Sequence, residues 1–238
     1  MDKTINVNTL VEAGVHLGHK RESWNPRMEP YIFAERKGIC VIDPEKTLEH
    51  LNHACEVAKK VVSEGKKVLF VGTKRQVADI VKEEAVRCGA FYCVHRWLGG
   101  TLTNFATVRK SVEKLKWFEE QKEKSEINKL TKKERLSIDK ELEKMHRNLD
   151  GIKDMDEFPG IAYVTDIKKE KLAVHEILKL EIPIIAIVDT NVDPRPITYP
   201  IPGNDDSMKS VKLITTAIAS SILEGVEEFK KHREVKDK

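Results

Sequence analysis

Short apolar runs rich in β-branched residues alternate with longer amphipathic segments along most of the chain. The runs are apolar throughout, which is typical of strands in a parallel sheet that helices cover on both faces. The segments between them repeat apolar residues at helical spacing. We therefore predict an α/β fold, a doubly wound five-stranded parallel sheet in a three-layer α/β/α arrangement. The predicted strands are residues 38–42, 67–71, 91–94, 161–165 and 183–188.

Capping residues predict where the intervening helices begin and end. The pair Asp43-Pro44 combines a favoured N-cap with a favoured first helical residue. Residues 73–76 have the spacing of a capping box, and Gly89 stands where helices commonly end. Two further helices are predicted at residues 168–180 and 207–225.

The pattern changes between residues 105 and 150, where apolar positions recur at alternating spacings of four and three. Lysine and glutamate fill the positions between them, as in a coiled coil. A polar segment at residues 121–129 interrupts the stripe, and a capping box at residues 131–134 restarts the helix. We predict a protruding antiparallel coiled-coil hairpin, which serves either as an RNA contact or only as a strut or partner contact. The stripe consists of Val108, Val112, Leu115, Ile138, Leu142, Met145, Leu149 and Ile152.

The predicted organisation is one discontinuous sheet domain with an insertion. Residues 1–104 and 151–226 form the sheet domain, and its segment 7–36 is expected to contact RNA or protein. Residues 105–150 form the hairpin. Residues 227–238 lack an apolar pattern and are predicted to be a mobile tail.

The amino-acid composition limits the compartments and the kinds of partner that can be expected for this protein. Charged residues make up 34% of the 238 residues, yet 42 Lys and Arg against 39 Asp and Glu leave a net charge of only +3. If RNA is the partner, the positive charge must be local. No secretory signal or membrane-spanning stretch is evident, and the four cysteines contain no C-x-x-C pair. We expect a soluble protein of the cytoplasm with no membrane partner.

Enzyme signatures are largely missing. The turn Gly72-Thr73-Lys74 follows a predicted strand and opens a helix, so it resembles a phosphate cradle. The glycine patterns of nucleotide-binding loops are absent, as are the nucleophile elbow and the zinc-protease motif. The turn is either an ordinary capped turn or a place where Lys74 or Arg75 meets an RNA phosphate. The rival interpretation is a metabolic enzyme that binds a phosphorylated ligand here, but no nucleophile or acid/base pair accompanies the turn.

Two irregular segments mix cations, an aromatic residue and small polar residues, a combination that suits RNA. The first is GVHLGHKRESWNPR at residues 14–27, and the second is HRWLGGTLTN at residues 95–104. Alternatively, Trp24 plugs the first segment onto the core, and the glycines of the second form a sharp turn into the inserted helix. The predicted RNA-binding residues are Lys20, Arg21, Trp24, Arg27, Lys74, Arg75, Arg96, Thr103, Asn104 and Arg109.

These segments also carry a resemblance to a known family. Together with KVLFVGTKRQ, AIVDTNVDP and IPGNDDS, in this order, they resemble small-subunit ribosomal protein two of the bacterial and organellar type. The resemblance implies a flavodoxin-like α/β/α domain with a coiled-coil hairpin, and a structural protein without a small-molecule substrate. It further implies contact with 16S-type rRNA between the head and body of the small subunit. There, such a protein helps to dock the large OB-fold-repeat ribosomal protein that captures messenger RNA.

A further hypothesis concerns a structural cation, although no cofactor is required. Asp189 closes a predicted strand, Asp205 and Asp206 precede the last helix, and loops of this kind meet at the carboxyl edge of a parallel sheet. If the segment around His19 folds over that edge, these four residues could bind Zn²⁺ or Mg²⁺. Alternatively, Asp206 caps the last helix and Asp189 is a turn residue.

Overall fold

Two sheets and seven α-helices make up the fold in a computed structural model, which describes residues 5–124 and 131–236. The strands are β1 (Leu17–Lys20), β2 (Ile32–Arg36), β3 (Ile39–Ile42), β4 (Val68–Val71), β5 (Phe91–Cys93), β6 (Ile161–Val164), β7 (Ile184–Val188) and β8 (Tyr199–Pro202). The helices are α1 (Val7–Glu12), α2 (Pro44–Ser63), α3 (Ala78–Cys88), α4 (Phe105–Glu123), α5 (Lys132–Leu149), α6 (Lys171–Lys179) and α7 (Met208–Lys236).

The larger sheet is parallel and has five strands in the order β5-β4-β6-β7-β8. Its register places Val71 opposite both Cys93 and Val164. The three central strands are buried at every position, as their apolar sequences require. The predicted α/β class with a five-stranded parallel sheet is confirmed.

The membership of that sheet differs from the prediction at one strand. Residues 39–42 do not join it; β3 is the middle strand of a separate antiparallel sheet with the order β1-β3-β2. The fifth parallel strand is instead β8, which contains Pro200 and Pro202. Prolines remove donors from a ladder and are tolerated at an edge, which is where β8 lies. The same prolines interrupt the apolar run, so the pattern of apolar residues does not predict β8.

Helices cover both faces of the parallel sheet. Phe70, Tyr163 and Ile187 point to the face that α2, α3 and α7 cover. Neighbouring strand positions point to the other face, where α6 and the proximal parts of α4 and α5 pack. The layer order is therefore helix, sheet, helix, as predicted.

The predicted caps agree with the structure at three of four places. Asp43 accepts a hydrogen bond from the Glu45 amide, Gly89 ends α3 in the left-handed conformation, and Thr131 forms a capping box with Glu134. The capping box at residues 73–76 is wrong, because α3 begins only at Ala78 and its N-cap makes no side-chain hydrogen bond.

The insertion contains the two predicted helices, α4 and α5. Their apolar stripe is buried or partly buried and joins the core on the α6 face of the sheet. Lys114 forms an ion pair with Glu141 at 2.6 Å, and Lys122 with Asp139 at 3.1 Å, so the helices run antiparallel. Coiled-coil winding stays a prediction, and most of the polar segment at residues 121–129 lies outside the described residues.

Helix α7 continues to Lys236 instead of ending near Gly225. Gly225 lies against α2, where a Cβ atom would come within 2.5 Å of the Lys59 carbonyl oxygen, so this glycine permits close helix packing. Phe229 then packs beside Gly65. Residues 227–236 of the predicted tail are thus helical, and mobility of the tail stays a prediction. No described helix is both long and apolar enough to cross a membrane.

Candidate nucleic-acid interface

The carboxyl ends of β4 to β8 meet along one edge of the parallel sheet, hereafter the carboxyl edge. The turns after these strands carry most of the residues that the sequence marks as candidates. Strand β1 brings His19 to the same edge, because the His19 amide donates to Thr190 Oγ1 at 2.8 Å, just after β7. Two acidic clusters organise this edge.

The first, the lysine cluster, consists of Lys74, Asp166, Asp205 and Asp206, with His19 and Asp189 beside them. The Lys74 ammonium lies 2.5 Å from Asp206 Oδ1 and 3.3 Å from both Asp166 Oδ2 and Asp205 Oδ1. Burial lowers the pKa of Lys74, but the hydrogen bond to Asp206 and the charges of Asp205 and Asp166 outweigh it and raise that pKa. Lys74 is therefore charged and is paired with carboxylates of the chain itself.

His19 bridges two carboxylates of this edge. Its Nδ1 atom lies 3.0 Å from Asp189 Oδ1, and its Nε2 atom lies 3.4 Å from Asp206 Oδ2. The hydrogen bond with Asp189 raises the pKa of His19, although partial burial opposes this. The four residues predicted as cation ligands are thus close together, as the sequence hypothesis required.

Negative charge exceeds positive charge in the lysine cluster. Burial and the neighbouring Asp166 and Asp189 raise the pKa of Asp205 to about 7, despite the contact with Lys74. As placed, no three His, Cys, Asp or Glu side chains in the described part of the chain could hold a metal ion. A cation would therefore need side chains such as Lys74 to move, and the cation site stays a prediction. Asp206 does not cap α7; the Ser210 amide in the first turn of that helix donates to Ser207 Oγ instead, at 3.4 Å.

The Glu170 side chain binds to the turn at residues 72–74, which resembles a phosphate cradle. Its Oε1 atom accepts from the amide and the hydroxyl of Thr73, both at 2.6 Å. Burial raises the pKa of Glu170, and these two bonds oppose that shift. The Glu170 carboxylate thus occupies the position that a bound phosphate would take in this turn. Because Thr73 is bound to Glu170, it does not form the predicted capping box.

The second cluster is centred on one carboxylate, Glu176 of α6, and is hereafter the Glu176 centre. The loop of residues 97–103 wraps around it. Trp97 Nε1 and the Gly100 amide donate to Oε1 at 3.0 and 2.8 Å. The Leu102 amide, the Thr103 amide and the Thr103 hydroxyl donate to Oε2 at 3.0 to 3.1 Å.

Five donors make the Glu176 centre a stable place for a negative charge. Burial alone raises the pKa of Glu176, but the bonds from Trp97, Thr103, Gly100 and Leu102 lower it below the usual value. Gly100 has a φ of +87°, which explains the glycine at this point of the loop. Sequence reasoning missed Glu176. The sequence feature that could have revealed Glu176 is its place on the apolar face of α6, three residues after Ala173.

The predicted RNA-binding residues differ in their surroundings. Lys20, Arg75 and Arg96 are exposed, and within the described residues they form no ion pair. Lys168 and Lys169, which sequence reasoning missed, are also exposed and unpaired among those residues. They follow β6. Their position after a central parallel strand is the sequence feature from which they could have been predicted. These five cations are hereafter the free cations.

Other predicted residues are engaged within the chain. Lys74 lies in the lysine cluster, and the Thr103 hydroxyl is bound to Glu176, so neither offers a free group. The Asn104 side chain accepts from the Thr107 hydroxyl at 2.8 Å but is exposed. Arg109 pairs with Asp156 at 2.5 Å.

The N-terminal segment is also held by internal contacts. The Arg21 guanidinium lies 3.4 Å from the centre of the Trp24 ring, and Arg21 pairs loosely with Glu35 at 3.9 Å. Trp24 is half-buried against Met28 and Val188, as the alternative interpretation required. Arg27 forms an ion pair with Asp193. Roles of these residues in RNA binding stay predictions.

Comparisons with known proteins agree with the resemblance. The sequence model of the family described as "Ribosomal protein S2" matches residues 10–225. The small ribosomal subunit protein uS2 of Dictyoglomus thermophilum is 52% identical over 221 residues, which cover 93% of this chain and 90% of that protein. The small ribosomal subunit protein uS2c of Guillardia theta is 52% identical over 222 residues, covering 93% of this chain and 94% of that protein.

Proposed function

Because the chain belongs to the ribosomal protein S2 family, we propose that it is a structural, non-enzymatic constituent of the small ribosomal subunit that binds rRNA through the carboxyl edge. Membership of the family supports the ribosomal role in translation. The contact with 16S-type rRNA between head and body is our finer proposal. It needs a local positive surface, because the net charge of the chain is only +3.

The free cations are the observation that carries this proposal. The buried carboxylates of the carboxyl edge, such as Asp205 and Glu176, face Lys74 or the loop donors, and the exposed Asp206 also contacts Lys74. Arg75, Arg96, Lys168 and Lys169 stay exposed. Unpaired exposed cations can approach phosphates without first breaking an ion pair. Contacts of this kind position a protein on RNA and make its affinity depend on salt.

The test is a triple variant, Arg75→Gln, Arg96→Gln and Lys168→Gln, measured for binding to small subunits that lack this protein. We expect the slope of log affinity against log salt to fall by about 2 to 3, close to one for each lost phosphate contact. The matched control replaces Lys60, Lys82 and Lys212, which are exposed on α2, α3 and α7, outside the hairpin and the carboxyl edge. Equal slopes for the two variants would show that the carboxyl edge is not the RNA interface.

We propose that the neighbouring OB-fold-repeat protein docks at an apolar groove on the small antiparallel sheet. Val11, Leu17, Phe33 and Ile39 line the groove and are 38 to 67% exposed, and its volume is about 600 Å³. Clustered exposed apolar side chains are typical of surfaces that a partner covers. Phe33→Asp should lower the occupancy of that protein on purified small subunits, whereas Val86→Asp, at a 60% exposed valine of α3, should not. Unchanged occupancy in the Phe33 variant would refute this placement.

We also propose the structural cation at the lysine cluster, on the strength of its excess negative charge. The four carboxylates of Asp166, Asp189, Asp205 and Asp206 face at most two cations, the Lys74 ammonium and a protonated His19. A divalent ion held by His19, Asp189, Asp205 and Asp206 would supply the missing charge once Lys74 moves aside. Elemental analysis should find a stoichiometric metal in the wild type and none in Asp189→Ala with Asp205→Ala. A wild type without metal, or a variant that keeps it, would contradict this proposal.

A further inference from the structure

A second cavity lies at the opposite, amino edge of the parallel sheet. It has a volume of about 440 Å³ and lies between the end of α2, the start of β4, the end of α3 and the last turns of α7. Val62, Val68, Ile222, Val226 and Phe229 give it an apolar floor. The cavity shares no residue with the carboxyl edge or with the groove around Phe33.

The rim of this cavity is cationic. Lys66, Lys67, Lys230 and Arg233 line it and are exposed, and no acidic side chain among the described residues lines it. Lys66 has one loose pairing, at 3.9 Å from Glu64. Among the residues that the structure describes, Lys67 reaches only the Gly89 carbonyl oxygen, at 3.4 Å. The occupant that complements the cavity therefore combines apolar groups with negative charge.

The apolar floor of the cavity favours a protein occupant over RNA. Phosphates would satisfy the rim, but a nucleobase inserted below it would leave its polar edge facing aliphatic side chains, which is costly. Along α7, the apolar residues 222, 226 and 229 are followed by the cations 230 and 233 on the same face. A helix with leucine-like residues followed by carboxylates can pair with such a face along its length.

We propose that this cavity, the α7 groove, is the docking site of an acidic amphipathic helix from a protein neighbour. The helix inserts aliphatic or aromatic side chains onto Val226 and Phe229 and places carboxylates against Lys230 and Arg233. The inference goes beyond the proposed RNA contact, because it concerns a protein partner at the other edge of the sheet.

The test is photo-crosslinking in cells with Phe229 replaced by p-benzoylphenylalanine, a conservative aromatic change. Adducts are identified by mass spectrometry in every fraction of a sucrose gradient, so a failure of ribosome association is scored separately. We expect one protein segment rich in Asp, Glu and apolar residues. Adding Lys230→Glu and Arg233→Glu should lower that adduct at least tenfold, whereas Lys230→Arg should keep it.

Three outcomes would overturn the inference. Adducts with nucleotides would assign the rim to RNA, and the absence of any adduct would leave the groove without an occupant. A protein adduct that survives the charge reversal would show that the cationic rim does not select the partner. As a position control, p-benzoylphenylalanine at Val86, which is exposed on α3, should not give the same adduct.

Discussion

Glu176 and Asp205 are both buried carboxylates near the carboxyl edge, yet their pKa values shift in opposite directions. Glu176 accepts five hydrogen bonds from neutral donors, and its pKa is lowered. Asp205 shares one ammonium with Asp166 and Asp206, and its pKa is raised to about 7. Burial penalises the charge of both. What differs is whether the surroundings supply donors or further negative charge.

The two centres therefore have different uses. A carboxylate with a full set of donors is fixed in one geometry and can anchor a loop, as Glu176 does for residues 97–103. A cluster with too few cations responds to protons, ions or ligands, because any added positive charge stabilises it. We thus attribute the fixed shape of the loop at residues 97–103 to the Glu176 centre, and the sensitivity of the carboxyl edge to added charge to the lysine cluster.

The largest effect is expected from removing the anchor. Glu176→Ala leaves five donors without their acceptor, three of them backbone amides, and should lower the free energy of unfolding by about 3 to 5 kcal/mol. Urea unfolding followed by circular dichroism measures this. Glu176→Gln should cost about 1 to 3 kcal/mol, because its NH₂ group faces donors on one side.

The control for the anchor is His175→Ala, at the exposed neighbour on α6, which should change stability by less than about 0.5 kcal/mol. Hydrogen exchange gives a second measurement, since the Gly100, Leu102 and Thr103 amides should lose protection in the Glu176 variants. If these amides stayed protected, the loop would be held by something other than Glu176.

A smaller loss is expected when the lysine cluster loses its cation. Lys74→Met keeps the length of the side chain but leaves Asp166, Asp205 and Asp206 facing one another. We expect a loss of about 2 to 3 kcal/mol at pH 8 in the presence of a chelator. The loss should shrink at pH 5, because Asp205, whose pKa is raised to about 7, is then protonated and no longer repels its neighbours. An equal loss at both pH values would show that packing, not charge, makes Lys74 important.

Part of the fold and of the carboxyl edge could be predicted from the sequence. The parallel strands, the inserted helices and the meeting of His19 with Asp189 and Asp206 follow from local patterns and from the rule that strand ends meet at one edge. Strand β8 was hidden by its prolines. The partners of Glu176 and Lys74 lie 73 to 132 residues away along the chain, so only the folded backbone brings them together.

The pH dependence of the two centres should have opposite signs. Because the pKa of Asp205 is raised above its unfolded value, the folded state binds a proton that the unfolded state lacks between about pH 4 and 7. Its contribution to stability is therefore lost as the pH rises through that range. Glu176, with a lowered pKa, contributes stability that is lost only as the pH falls below about 4.

Asp205→Asn isolates the first of these contributions. Unfolding free energies measured with a chelator from pH 4 to 8 should show that the wild type declines by about 2 to 4 kcal/mol more than the variant. The Asn side chain keeps the volume and the contact with Lys74 through its carbonyl oxygen. Parallel pH profiles for the two proteins would mean that Asp205 does not titrate in this range.

The smallest effects are expected when one donor hydroxyl is removed from beside a carboxylate. The two carboxylates are Glu176, whose pKa is lowered, and Glu170, whose pKa is raised. Thr103→Val takes one of five donors from Glu176 and should cost about 1 kcal/mol at every pH from 5 to 8, because Glu176 stays ionised with four donors. Thr73→Val takes one of two donors from Glu170, whose pKa is already raised by burial. Its cost should therefore shrink as the pH falls, since a protonated Glu170 needs fewer donors. Two flat profiles would contradict the view that the number of donors, rather than burial, separates these carboxylates.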